Sequence, residues 1–98
     1  MADEGYLWDE NKMSKVWNEH AVSFYEAIQA CEDPYQVLTE DPQGHEERFM
    51  IVGRTEQGRI LQVLISDEEL PVMRLITAFD AEPRWIQEWE KGNERTGR

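Results

Sequence analysis

The apolar residues of this chain change their period at Asp33-Pro34, and that switch restricts the fold more than any other feature. Before it they recur at helical spacing. Met13, Val16, Trp17 and His20 fall at i, i+3, i+4 and i+7, and Phe24, Ala27, Ile28 and Cys31 repeat the pattern. After it come short runs rich in Ile, Val and Leu, separated by turn formers. Two short amphipathic helices followed by strands on short connections must pack helices against a sheet whose sequence neighbours pair antiparallel.

The punctuation sets the boundaries. Asp9 is the expected N-cap of a helix over 9–20, and Ser23 with Glu26 forms an S-x-x-E capping box for the next. Pro34 stops that second helix, because the residue before proline is pushed out of the α region. A brief strand is expected at Tyr6-Leu7-Trp8 and a short one over 36–39, followed by the polar loop Glu40-Asp41-Pro42-Gln43-Gly44. Strands over 48–54 and 59–66 flank the hairpin signal Thr55-Glu56-Gln57-Gly58, and a last strand over 72–79 follows the charged turn Asp67-Glu68-Glu69. A C-terminal helix is predicted from Asp80 as its cap, with Pro83 in its first turn, a stripe of Trp85, Ile86 and Trp89, and an end at Lys91-Gly92. The fold class is α+β: two N-terminal helices, an antiparallel sheet of about four strands and a C-terminal helix, the helices covering one face. Residues 1–98 are expected to form one domain with polar tails at about 1–5 and 93–98.

Charge narrows the function. Against 21 acids stand 10 Lys and Arg, a formal net charge of −11, which excludes a generally basic nucleic-acid binder. The acid is unevenly placed, however. Residues 1–49 hold twelve acids and three bases, a net −9, whereas residues 50–98 hold nine and seven, a net −2. A local basic site on the strands is compatible with that distribution. The lone Cys31 offers no intramolecular disulfide and fits a reducing setting. The N-terminus Met1-Ala2-Asp3-Glu4-Gly5 lacks a basic region before an apolar one, and no apolar stretch approaches the roughly 20 residues of a membrane helix. A soluble, cytoplasmic protein with no membrane association is the expectation.

Several short motifs, in a shared order over most of the chain, resemble the BrnT type of ribonuclease toxin within the RelE-like superfamily. They are Trp8-Asp9 leading into a helix, His20-Ala21-Val22-Ser23-Phe24 where that family commonly has H-G-V-S-F, and Asp33-Pro34 after the second helix. Glu47-Arg48-Phe49, Gly53, Gly58-Arg59 and Arg74-Leu75-Ile76-Thr77-Ala78 follow. The resemblance implies a RelE-like fold and a toxin of a bacterial type II toxin-antitoxin system. It further implies a metal-independent ribonuclease without cofactor, a cognate antitoxin protein and RNA as partners, and it leaves a homodimer open. Arg48, Arg59 and Arg74 match motif positions suited to holding phosphate, and Glu47 or His20 is the implied proton carrier.

The same residues carry plainer readings. His20 on an apolar stripe suits a half-buried histidine bonded to a loop carbonyl, and the strand arginines, with Arg48 and Arg54 on one face, suit pairing with the abundant carboxylates. Trp17, Trp85 and Trp89 lie at core spacing, although they could stack bases. Gln62 in an apolar strand either lines a polar site or meets solvent. His20, Cys31 and His45 show no metal-ligand spacing, so no metal is expected. Family positions that are commonly basic hold Asn18-Glu19 and Phe79 here. With the acidic N-terminal half, they support the alternative of a non-catalytic BrnT-like interaction protein that binds a basic partner.

Overall fold

In a computed structural model, which describes the backbone of residues 2–3 and 5–95 and the side chains of 5–92, the chain forms a six-stranded mixed sheet with helices on both faces. Strands β1 (Ala2–Asp3) and β2 (Tyr6–Leu7) precede helices α1 (Glu10–His20) and α2 (Phe24–Cys31). Strands β3 (Val37–Glu40), β4 (Arg48–Arg54), β5 (Ile60–Ser66) and β6 (Met73–Asp80) follow, and helix α3 (Pro83–Arg95) closes the order. The sheet order is β1-β2-β6-β5-β4-β3. Strands β3 to β6 make the expected antiparallel meander, and β2 adds to β6 in parallel, Leu7 opposite Arg74, which raises the strand count above four.

Both N-terminal helices start as the sequence dictates. Asp9 accepts from the N–H groups of Asn11 and Lys12. Ser23 and Glu26 exchange the two bonds of a capping box, Glu26 N–H to Ser23 Oγ at 3.1 Å and Ser23 N–H to Glu26 Oε1 at 3.0 Å. The helices cover one face of the sheet. There Met13, Val16, Phe24, Ala27, Ile28 and Cys31 pack on Ile51, Leu61, Val63, Ile65, Leu75 and Ala78. Gly53 permits the closest approach, since a Cβ there would stand 1.9 Å from the Ala30 carbonyl oxygen. The stripe of α1 is narrower than its spacing suggests. Trp17 is 56% exposed and His20 is exposed as well, because the helix ends at His20 and Ala21 takes a left-handed φ of 52°.

The C-terminal helix departs from the expectation in three ways. Asp80 is the last residue of β6 rather than a cap, since its carboxylate is engaged by Arg59. Helix α3 runs through Gly92 to Arg95, and of the expected C-terminal tail residues 96–98 lie outside the described residues, as do Met1 and Glu4 of the N-terminal one. Finally, α3 packs on the opposite face of the sheet. Met50, Val52 and Gln62, which alternate with the core residues of β4 and β5, are buried there. Two polar anchors fix the helix: Glu82 N–H donates to Gln62 Oε1 at 2.8 Å, and Trp89 Nε1–H donates to Asp33 Oδ2 at 2.8 Å. Buried Asp33 also accepts from the N–H groups of Tyr35 and Arg54, so one carboxylate joins the end of α2, the end of β4 and α3. Among the described residues no helix is long and apolar enough to cross a membrane.

Candidate functional site

Strand register places two of the expected arginines together. Arg48 of β4 pairs with Ser66 of β5, and Ser66 pairs with Arg74 of β6. Paired residues on neighbouring strands point to the same side, so Arg48, Ser66 and Arg74 form a row across three strands on the face opposite α1 and α2. Strands lie about 4.8 Å apart, which puts the two arginine Cα atoms about 10 Å from each other. Their forks can therefore converge on one anion. A bulge between Leu64 and Ile65 keeps Leu75 in the core while Arg74 faces outward.

Each arginine of the row has a carboxylate companion. Arg74 Nε donates to Glu69 Oε1 at 2.7 Å, Nη2 forms an ion pair with the same oxygen at 2.7 Å, and Arg74 lines a recess with Leu7, Trp8, Asp9, Glu10 and Asn11. Arg48 Nε stands 4.0 Å from Glu47 Oε1. Both guanidinium groups remain about a third exposed, at 30% for Arg48 and 37% for Arg74.

Arg59 and His20 lie at the far end of the sheet. Asp80 is opposite Leu61, five residues along β5 from Ser66, or about 17 Å at strand rise. All five N–H donors of Arg59 are occupied. Nε and Nη2 donate to Asp80 at 2.6 and 3.1 Å, and Nη1 donates to Glu26 Oε2 at 3.2 Å and to the Ala21 carbonyl at 2.7 Å. Nη2 also donates to the His20 carbonyl at 3.0 Å. The bond from Arg59 holds the Asp80 carboxyl below the usual range. Burial pushes Glu26 upward, but its bonds from Ser23 and Arg59 outweigh that effect and lower it. Arg59 thus ties the α1–α2 turn to β5 and β6. The ring of His20 is not bonded to a loop carbonyl; it lies 5.7 Å from the Phe79 ring and 3.8 Å from Glu19.

Two features escaped the sequence reading. In the loop before β4, His45 Nδ1 lies 2.7 Å from Oδ2 of Asp41, whose side chain is 1% exposed. The Gln43 N–H bond, followed by the histidine, holds the Asp41 carboxyl below the ordinary range. The signal was present in Asp41-Pro42-Gln43-Gly44-His45, where a turn returns the chain after four residues, but it carries no helical or strand period. Arg84 is the second, stacked 4.5 Å above the Trp85 ring beside a recess of about 170 Å³ that reaches Leu64, Phe79 and Asp41. Cys31 is buried, and burial pushes its thiol up to about 12, which leaves no thiolate for nucleophilic work. Among the described residues no three His, Cys, Asp or Glu side chains are grouped to hold a metal ion.

The family model for the BrnT ribonuclease toxin of type II toxin-antitoxin systems matches residues 8–84. Among solved structures, the 1.1 Å crystal structure of the Brucella abortus ribonuclease toxin BrnT matches with a TM-score of 0.59 at 17% identity. The match covers 79% of this chain and 95% of that one, a likeness of fold. No curated protein matches significantly.

Proposed function

From the premise that this chain belongs to the BrnT family of ribonuclease toxins of type II toxin-antitoxin systems, we propose that it is an RNA-cleaving toxin whose phosphate site is the Arg48–Ser66–Arg74 row. The row is the observation that carries this reading: the register sets two arginines, with the buried Ser66 between them, on neighbouring strands of the face that α1 and α2 leave uncovered. In the proposed reaction, which needs no metal, the ribose 2′-oxygen bonds to the adjacent phosphorus and the bond to the 5′-oxygen breaks. This yields a 2′,3′-cyclic phosphate and a 5′-hydroxyl. Negative charge builds on the non-bridging oxygens in the transition state, where guanidinium donors stabilise it most. Glu47, next to Arg48, is within reach of the row, whereas His20 stands at the opposite end of β6. Cytoplasmic action and neutralisation by a cognate antitoxin protein complete the proposal, and a basic antitoxin would suit the acidic helical half.

The test is cleavage of a mixed-sequence RNA by the purified protein, with growth arrest on expression without antitoxin. Arg74→Ala is expected to lower cleavage about 100-fold with an unchanged melting temperature. An inactive wild type refutes the nuclease, and a fully active Arg74→Ala removes the row. Glu69 on Arg74 and Phe79 at a commonly basic position favour a second reading, a non-catalytic protein that binds a basic partner. Partner capture by a wild type that cuts no RNA would establish it.

A further inference from the structure

We propose that His45, oriented by buried Asp41, is the base that takes the 2′-hydroxyl proton at this site, in place of Glu47 or His20. The inference rests on the ribonuclease reading above and adds to it the residue that moves the proton.

Three observations bring it about. The Asp41 carboxylate is almost fully buried, accepts a bond from Gln43 N–H at 2.9 Å and lies 2.7 Å from His45 Nδ1. An ionised carboxylate can only accept, so Nδ1 carries the hydrogen and the unprotonated nitrogen is Nε2. A buried carboxylate on one ring nitrogen fixes tautomer and direction, the role the aspartate has in the Ser-His-Asp triad. Second, the turn that closes with Arg48 N–H donating to the His45 carbonyl at 3.2 Å puts both side chains in one recess of about 260 Å³. Third, Arg48 begins the row that ends at Arg74, so the recess opens beside the proposed phosphate position. The ring is 42% exposed and therefore open to substrate.

Proton and bonds balance as follows. His45 Nε2 takes the 2′-hydroxyl proton as the 2′-oxygen bonds to phosphorus. The departing 5′-oxygen takes a proton from water, and the imidazolium returns its own to solvent. The groups facing His45 are Glu40 from β3, Asp41 and Glu46 from the loop and Arg48 from β4.

The experiment uses the full chain and a mixed-sequence RNA, with its 2′-O-methyl counterpart as an uncleavable probe of affinity. His45→Gln keeps a donor for Asp41, but a carboxamide is no base. It is expected to lose about 100-fold or more in cleavage while binding the 2′-O-methyl probe within threefold of wild type and melting within a few degrees of it. Asp41→Asn is expected to lower kcat at least about tenfold with KM and 2′-O-methyl binding unchanged, because the ring loses the acceptor that fixes its tautomer and direction. Wild-type cleavage in His45→Gln would overturn the assignment and leave the ribonuclease intact. An inactive wild type would instead overturn the ribonuclease reading itself. The Asp41→Asn kinetics are a second measurement: an unchanged kcat refutes the dyad even where His45→Gln has lost its fold.

Discussion

The fork of Arg59 separates two roles that its sequence position cannot distinguish, and replacing it by methionine tests them. Methionine keeps an apolar stem of similar length and removes all five donors. The Asp80 side chain is 65% exposed, so its two bonds contribute about 0.5 kcal/mol. Glu26 is 25% exposed and the two carbonyls belong to the turn that joins α1 to α2, so each of these three bonds contributes about 0.5 to 1 kcal/mol net. Arg59→Met should therefore cost about 2 to 3.5 kcal/mol. For a domain of this size that lowers the melting temperature by about 8 to 28 °C. Urea unfolding at pH 7 measures the first quantity and a thermal melt the second. A double-mutant cycle with Asp80→Asn isolates the exposed pair. The reasoning is refuted if Arg59→Met loses less than about 0.5 kcal/mol and abolishes RNA cleavage, for then the fork is free in solution and serves phosphate.

Two further outcomes follow from the packing and the charges. Gly53→Ala should destabilise by at least about 3 kcal/mol, because its Cβ would meet the backbone carbonyl of Ala30 and α2 must move off β4; a urea midpoint near wild type would show that α2 is not held so closely. Glu26, Asp41 and Asp80 all ionise below their ordinary range in the folded chain. Their contribution is thus complete above the unfolded values of about 4, and is lost as pH falls through the lowered folded values. Urea midpoints should fall between pH 5 and pH 3, and less steeply in Arg59→Met; midpoints that do not change over that interval would contradict the assignment.

The helices and the meander were legible because their signals are local. The Ser23–Glu26 box, Pro34 and the Gly58 turn each act within four residues, and β4 spans the stretch that its apolar run marks. The placement of α3 was not legible, since its stripe fits either face of the sheet. What decides is the distant pair of anchors, Gln62 for its first turn and Asp33 for Trp89. Gln62, which the sequence leaves between a polar site and solvent, is buried and its amide oxygen holds the start of α3. The site was half legible for the same reason. Motif matching marked Arg48, Arg59 and Arg74 alike, but only register shows that two of them share a row and that the third stands about 17 Å away among acceptors. His45 escaped because a histidine in an irregular loop has no period to betray it.

Net charge is a poor guide to whether this sheet can hold a phosphate; the number of acceptors around each guanidinium is a better one. Arg59 would have to surrender bonds to two carboxylates and two carbonyls, and the turn between α1 and α2 would lose its tie. Arg74 surrenders one carboxylate oxygen on the exposed 67–72 turn, a pair that contributes at most about 1 kcal/mol. A phosphate offers two oxygens in the geometry of the fork and interacts more strongly with it. On the proposed reading, exchange of Glu69 for an RNA phosphate at Arg74 gives up less than the same exchange at Arg59. The acids beside the row act as exchangeable companions that keep the arginines extended over the sheet.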